Sequence, residues 1–188
     1  MISAILLAAG QSKRMGGENK LTKKIQGLPL IKHSINNILE SSVDEIIIIL
    51  GHEKEIIEKL IDNNKKIKII FNKDFKTGMA SSIKIGVKHL TKKTEAFFIC
   101  LGDMPMVNKD IYNKLIKLRD KKKEIFVPTF NNEQANPVLF NFKMKDKIMN
   151  IKGDFGAKKI LQSNEEKIFY LPIDDREIFL DFNTMEDF

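Results

Sequence analysis

A chain of 188 residues with 43% hydrophobic and 30% charged side chains has the length and balance of one soluble globule, and residues 1–188 read as a single domain. The net charge of +7 favours an anionic partner, but with no Arg-rich tract, no Trp and few aromatics among the basic residues, nucleic acid is set aside for a small polyanion. One cysteine excludes an internal disulfide, and no charged leader or bilayer-length apolar run is visible, so a cytoplasmic protein without membrane contact is expected.

The first predicted element is a strand over 2–7, the apolar run Ile2-Ser3-Ala4-Ile5-Leu6-Leu7, which ends in Ala8-Ala9-Gly10. The loop beyond it, from Gln11 and Ser12 through Lys13, Arg14, Gly16 and Gly17 to Lys20, carries two glycines and three cations. Bare amides and fixed positive charge at the carboxyl edge of a sheet suit phosphate. The spacing matches neither the P-loop nor the dinucleotide fingerprint. What it offers is Gly10 for close backbone approach, Arg14 as a bidentate fork and Lys20 as a mobile point charge.

Helical periodicity predicts a helix over 29–39, with Ile31, Ile35, Ile38 and Leu39 on one face, then a strand over 45–50 and a helix over 53–61. A strand over 67–71 leads to Thr77-Gly78-Met79-Ala80-Ser81-Ser82, where a glycine and small hydroxyls open a helix over 79–90. Gly78, Ser81 and Ser82 could admit a base or sugar, or Thr77 and Ser81 could simply cap the helix.

The strand over 96–101 places Cys100 in a core run and ends in Leu101-Gly102-Asp103-Met104-Pro105. Asp103 there is either a ligand for Mg²⁺, which needs only one or two carboxylates, or a turn residue ahead of the helix over 108–118. Further strands are predicted over 125–128, 137–140 and 168–171, and the less regular stretch 130–161 is expected to add a small antiparallel piece. Asn136-Pro137 and Gly153-Asp154-Phe155-Gly156 suit either a second pocket or surface turns. In the tail, Asp181 or Asn183 could add a second metal ligand or merely cap a terminal helix.

Strands without polar alternation, separated by amphipathic helices, predict a doubly wound α/β fold with ligand loops at the carboxyl ends of the strands. His33, His52 and His89 have no zinc spacing, and no nucleophile elbow is present.

Taken together these segments resemble the molybdenum cofactor nucleotidyltransferases. The opening is similar to that family's Leu-Ala-Ala-Gly-x-Ser-x-Arg-Met-Gly, here Leu7 to Gly16 with Lys20 beyond. Gly78 to Gly86 resembles its base-contacting segment, Gly102-Asp103-Met104-Pro105 its metal-binding turn, and Asn136-Pro137-Val138 with Gly153-Asp154-Phe155-Gly156 its acceptor-side motifs. The tail Asp181-Phe182-Asn183-Thr184 is similar to a closing Asp-Ile-Asp-Thr, with Asn183 in place of the second Asp.

The resemblance implies a three-layer, Rossmann-like fold of the GT-A kind with a mostly parallel sheet. Ala8-Ala9-Gly10 looks like the cytidylyltransferase branch, which implies transfer of CMP from CTP to molybdopterin with release of pyrophosphate. Leu7, Ala8, Ala9, Gly10, Ser12, Arg14, Lys20, Gly78, Ser81, Ser82 and Gly102 are then expected at the nucleotide. Asn136, Pro137, Gly153, Asp154 and Gly156 are expected at the acceptor, and Asp103 with Asp181 or Asn183 at Mg²⁺. The alternatives are GTP or another phosphate acceptor, and a non-catalytic cofactor-binding chaperone. A monomer that hands its product to a molybdoenzyme or that enzyme's chaperone is expected.

Overall fold

Short runs of Ile, Leu and Phe bury a strand on both faces but are too short for helices, and amphipathic stretches between them supply cover. The computed structural model describes residues 1–12, 15, 18–120, 122–151, 157–175 and 179–183. In chain order the elements are β1 (Ile2–Ala8), β2 (Lys24–Ile25), β3 (Leu28–Pro29), α1 (Leu30–Leu39), β4 (Glu45–Leu50), α2 (Lys54–Glu58) and β5 (Ile67–Phe71). They continue with α3 (Met79–Lys88), β6 (Ala96–Leu101), α4 (Lys109–Lys117), β7 (Ile125–Phe130), β8 (Glu133–Gln134), β9 (Val138–Asn141), α5 (Lys145–Met149), α6 (Lys158–Gln162) and β10 (Ile168–Pro172).

The main sheet runs β10-β7-β9-β6-β1-β4-β5, with β8 appended to β7. Neighbours are parallel except for β9, which pairs antiparallel with both β6 and β7, and β8, which pairs antiparallel with β7. The chain runs outward from β1 through β4 to β5, then crosses back to place β6 on the other side of β1. That reversal puts a switch point beside β1, where the loops diverge and leave a crevice.

Alternation along β1 sorts the core into two layers. Ala4 and Leu6 face Leu30, Ile35, Ile57, Ile111 and Leu115 of α1, α2 and α4. Ile5 and Leu7 face Ile83, Val87, Ile148, Ile160 and Leu161 of α3, α5 and α6. The result is the expected three-layer, mostly parallel α/β fold.

Three local differences have physical reasons. The helix expected over 53–61 is shorter, because Leu60 and Ile61 close tighter turns onto Ile57 and Glu58 instead. A hairpin not anticipated, β2–β3, turns on Gln26 and Gly27, both at positive φ (50° and 81°), the pairing a tight hairpin favours. The antiparallel piece is built as β8 and β9, reached through Asn131 and Asn132 at φ 48° and 64°. Pro128 is tolerated inside β7 because β9 pairs that strand only at Ile125 and Phe126, so the missing N–H is not required there.

Candidate active site

A cavity of about 450 Å³ opens at the carboxyl edge of β1, floored by residues 7–12 and walled by Lys20, Phe75, Lys76, Gly78, Met79, Ser82, Asp103, Asp181 and Asn183. The loop leaving β1 is shaped by Ser12, held at φ 48°, whose Oγ accepts the Lys20 backbone N–H at 3.1 Å. That bond folds the chain back so that Lys20 starts its 3-10 turn (Lys20–Thr22) above the strand end, with Asn19 Oδ1 accepting from Leu21 N–H at 3.1 Å. A Cβ on Gly10 would meet nothing within 4 Å, so the backbone there is open to a ligand.

Asp103 is aimed by Gly102. The Gly102 N–H donates to Leu7 O at 3.0 Å, its carbonyl accepts from Ser34 Oγ at 3.1 Å, and a Cβ there would come within 3.0 Å of Ile31 Cδ1. The turn is therefore clamped to both β1 and α1. Asn108 caps α4, accepting from Asp110 N–H at 3.0 Å and Ile111 N–H at 3.4 Å, so Asp103 is left for other work.

Its carboxylate pairs with Lys20 Nζ, both side chains being largely sequestered at 17% and 16% exposure. The same ammonium donates to Asn183 Oδ1 at 2.9 Å, and Asn183 Nδ2 donates to the Asp181 carboxylate. The Phe182 N–H donates to Asp103 O at 3.0 Å, which ties the tail to the turn. Two carboxylates and one ammonium leave one negative charge in excess. An amide suits position 183 because it accepts from Lys20 and donates to Asp181, whereas a carboxylate there could only accept.

Among the described residues no group of three or more His, Cys, Asp or Glu forms a metal cage. Mg²⁺ needs no such cage where phosphate and water complete its octahedron. The oxygens of Asp103 and Asn183 already meet at one cation, and Asp181 is joined to them through the Asn183 amide; all are hard donors, so the residues fit the ion.

The opposite wall is organised by Asn72, which follows β5 and is 2% exposed. Its Oδ1 accepts from Asp74 N–H at 3.0 Å, which fixes the amide orientation, and its Nδ2 donates to Ser81 Oγ at 2.8 Å and Ser82 Oγ at 2.9 Å. Ser81 in turn donates to backbone carbonyls of Asp74 and Gly78. Gly78, at φ 108°, opens α3 with no side-chain cap. Gly51 completes the wall: a Cβ on it would lie 2.7 Å from the Cβ atoms of Ala9 and Phe75, so bare backbone lets Phe75 approach the floor.

Of the expected nucleotide and metal residues, Leu7, Ala8, Ala9, Gly10, Ser12, Lys20, Gly78, Ser82, Asp103, Asp181 and Asn183 meet at this cavity. Ser81 lines a second, more open groove together with Asn72, Asp74 and Lys84, and Gly102 is buried and lines neither cavity. Asn136 and Pro137, joined by a cis peptide bond, enter β9 and line neither cavity. Arg14, Gly153, Asp154 and Gly156 lie outside the described residues. Sequence reasoning gave no role to Asn72, Phe75 or Lys76, whose only local signal was their place between β5 and α3, whereas Met79 falls within the segment it singled out at the start of α3.

Residues 4–168 match the model of the MobA-like NTP transferase domain. The chain is 28% identical over 187 residues to the molybdenum cofactor cytidylyltransferase of Escherichia coli (strain K12), covering 100% of this chain and 93% of that protein. It is 28% identical over 193 residues to a probable molybdenum cofactor guanylyltransferase of Thermococcus sibiricus, covering 97% and 93%. A 115-residue stretch is 30% identical to the bifunctional protein GlmU of Staphylococcus epidermidis, where the match spans 61% of this chain and only 25% of that protein's length. Among solved structures, that of Rv0371c from Mycobacterium tuberculosis superposes with a TM-score of 0.88 at 20% identity, over 99% of this chain and 94% of that one.

Proposed function

Because this chain belongs to the MobA-like NTP transferase family and is a nucleotidyltransferase, we propose that it transfers CMP from CTP to the terminal phosphate of molybdopterin, releasing pyrophosphate. The observation that carries the reading is the convergence, on one cavity, of the open loop after β1 with the Lys20–Asp103–Asn183–Asp181 cluster.

The acceptor phosphate is already a nucleophile, so the protein has little acid–base work to do. Its task is to align attack on the α-phosphorus with departure of pyrophosphate and to neutralise charge on the leaving group. The backbone at Ala9 and Gly10 offers close approach to phosphate, and Lys20 supplies a cation on a flexible stem. Asp103, with Asp181 or Asn183, would hold Mg²⁺, which screens the phosphate oxygens when bound. The wall at Gly78 and Ser82 would meet base and ribose, and the floor residues Ala8 and Ala9 favour the cytidylyl reading through their likeness to that branch. The Escherichia coli relative's activity points the same way.

The equal identity to a probable guanylyltransferase keeps GTP as the second reading. Pyrophosphate release measured over four NTPs, with and without molybdopterin and Mg²⁺, separates them. Release is expected only when CTP, molybdopterin and Mg²⁺ are all present, and equal or faster release from GTP would overturn the nucleotide assignment. Asp103→Ala is expected to lower turnover at least a thousandfold; near-normal turnover would remove Asp103 from the site.

A further inference from the structure

We propose that Lys20 is a resident counter-ion: it occupies the divalent-cation site before substrate binds, competing with the metal, and surrenders Asp103 and Asn183 when metal and triphosphate arrive. The inference rests on the reading that Asp103 ligates a divalent cation. Without Lys20, the cluster would hold the Asp103 and Asp181 carboxylates with no ammonium among them, and the bridge from Asp103 to Asn183 would be lost. The ammonium instead pairs with Asp103 and donates to Asn183 Oδ1 at 2.9 Å, and the amide passes the order on to Asp181.

These are the oxygens a divalent cation would take, and an ammonium cannot keep them beside a dication. One cation must therefore replace the other. The Lys20 backbone stays fixed by its bond to Ser12 Oγ, so the exchange is a swing of the side chain rather than a movement of the loop. A triphosphate lying over the loop after β1 gives the displaced ammonium a new anionic partner. Metal alone must break the ion pair without compensation, whereas metal with triphosphate is repaid, and the two ligands are positively coupled.

The test is a Mn²⁺ titration of the full chain, followed by electron paramagnetic resonance, with no nucleotide or acceptor present. Lys20→Met is expected to bind Mn²⁺ at least threefold more tightly than the parent, Lys20→Arg about as the parent does, and Asp103→Asn at least tenfold more weakly than the parent or below detection. Lys20→Gln keeps a donor to Asp103 but drops the charge, and serves where Lys20→Met does not fold. Unchanged or weaker Mn²⁺ binding in the neutral variants overturns the proposal, as does Mn²⁺ binding that is indifferent to Asp103→Asn. A purely structural lysine would lower metal affinity on removal rather than raise it. The titration contains neither CTP nor molybdopterin, so a wrong substrate assignment would show in the pyrophosphate screen and leave this result standing.

Discussion

Asn72 makes three hydrogen bonds from one buried side chain, and through them it sets where Ser81 and Ser82 stand. Replacing it with Leu strands those partners and is expected to cost about 1–3 kcal/mol of stability. The same change should raise the nucleotide KM more than it lowers kcat, because the wall rather than the metal side is disturbed; thermal melts and steady-state rates with NTP read the two effects. At this scale the sequence was half legible. Gly10 and Asp103 stood out because they directly follow apolar strands, where few side chains have other duties, and Lys20 because it closes the glycine-bearing, basic loop that begins there. Asn72 did not, because an asparagine after a strand looks like any turn residue until its serine partners are brought back by α3. Phe75 was hidden for a similar reason: its approach to Ala9 depends on the missing side chain at Gly51.

α3 lies against β1 at Gly86, where a Cβ would come within 2.4 Å of Ile5 Cγ2. Gly86→Ala adds helix propensity worth about 1 kcal/mol, yet the clash has no flexible end to absorb it and overpacking costs about 1–3 kcal/mol. Net destabilisation is therefore expected in urea unfolding, together with weaker nucleotide binding, since α3 carries Met79 and Ser82 to the cavity. The long elements were legible at this scale: β4, β5 and β6 fall where their Ile and Phe runs place them, at 45–50, 67–71 and 96–101. The two-residue strands β2, β3 and β8 were not, because so short a strand buries too little to leave a period. Their turn residues, Gln26-Gly27 and Asn131-Asn132, were the available signal.

Cys100 sits in β6 at the middle of the sheet, 1% exposed, and burial pushes its thiol up from 9.0 to about 12, with a hydrogen bond from Tyr112 acting weakly the other way. The fold thus favours the neutral thiol. That contribution is intact below the unfolded value near 9 and is lost as pH rises towards about 12. Two measurements check it: alkaline melts should fall above pH 9 less steeply in Cys100→Ala than in the parent, and a thiol reagent at pH 8 should label Cys100 at the rate of global unfolding. The alternation of strand and helix made the doubly wound plan readable from the chain, and the irregular stretch 130–161 signalled an antiparallel piece, but where β9 would insert, between β6 and β7, was not readable, since an apolar run names no neighbours. The reversed direction of β9 has a consequence for engineering. Because β9 runs backwards, its entry at Asn136-Pro137, the β7–β8 hairpin and the end of β10 all rise from the same rim as the cavity. Residues 131–137 leave and re-enter that rim, with β8 pairing only β7 and with β9 and β6 standing between β7 and β1, which makes them a cassette. Loops of other lengths could be grafted there to reshape that end of the rim while the Lys20–Asp103 end is kept.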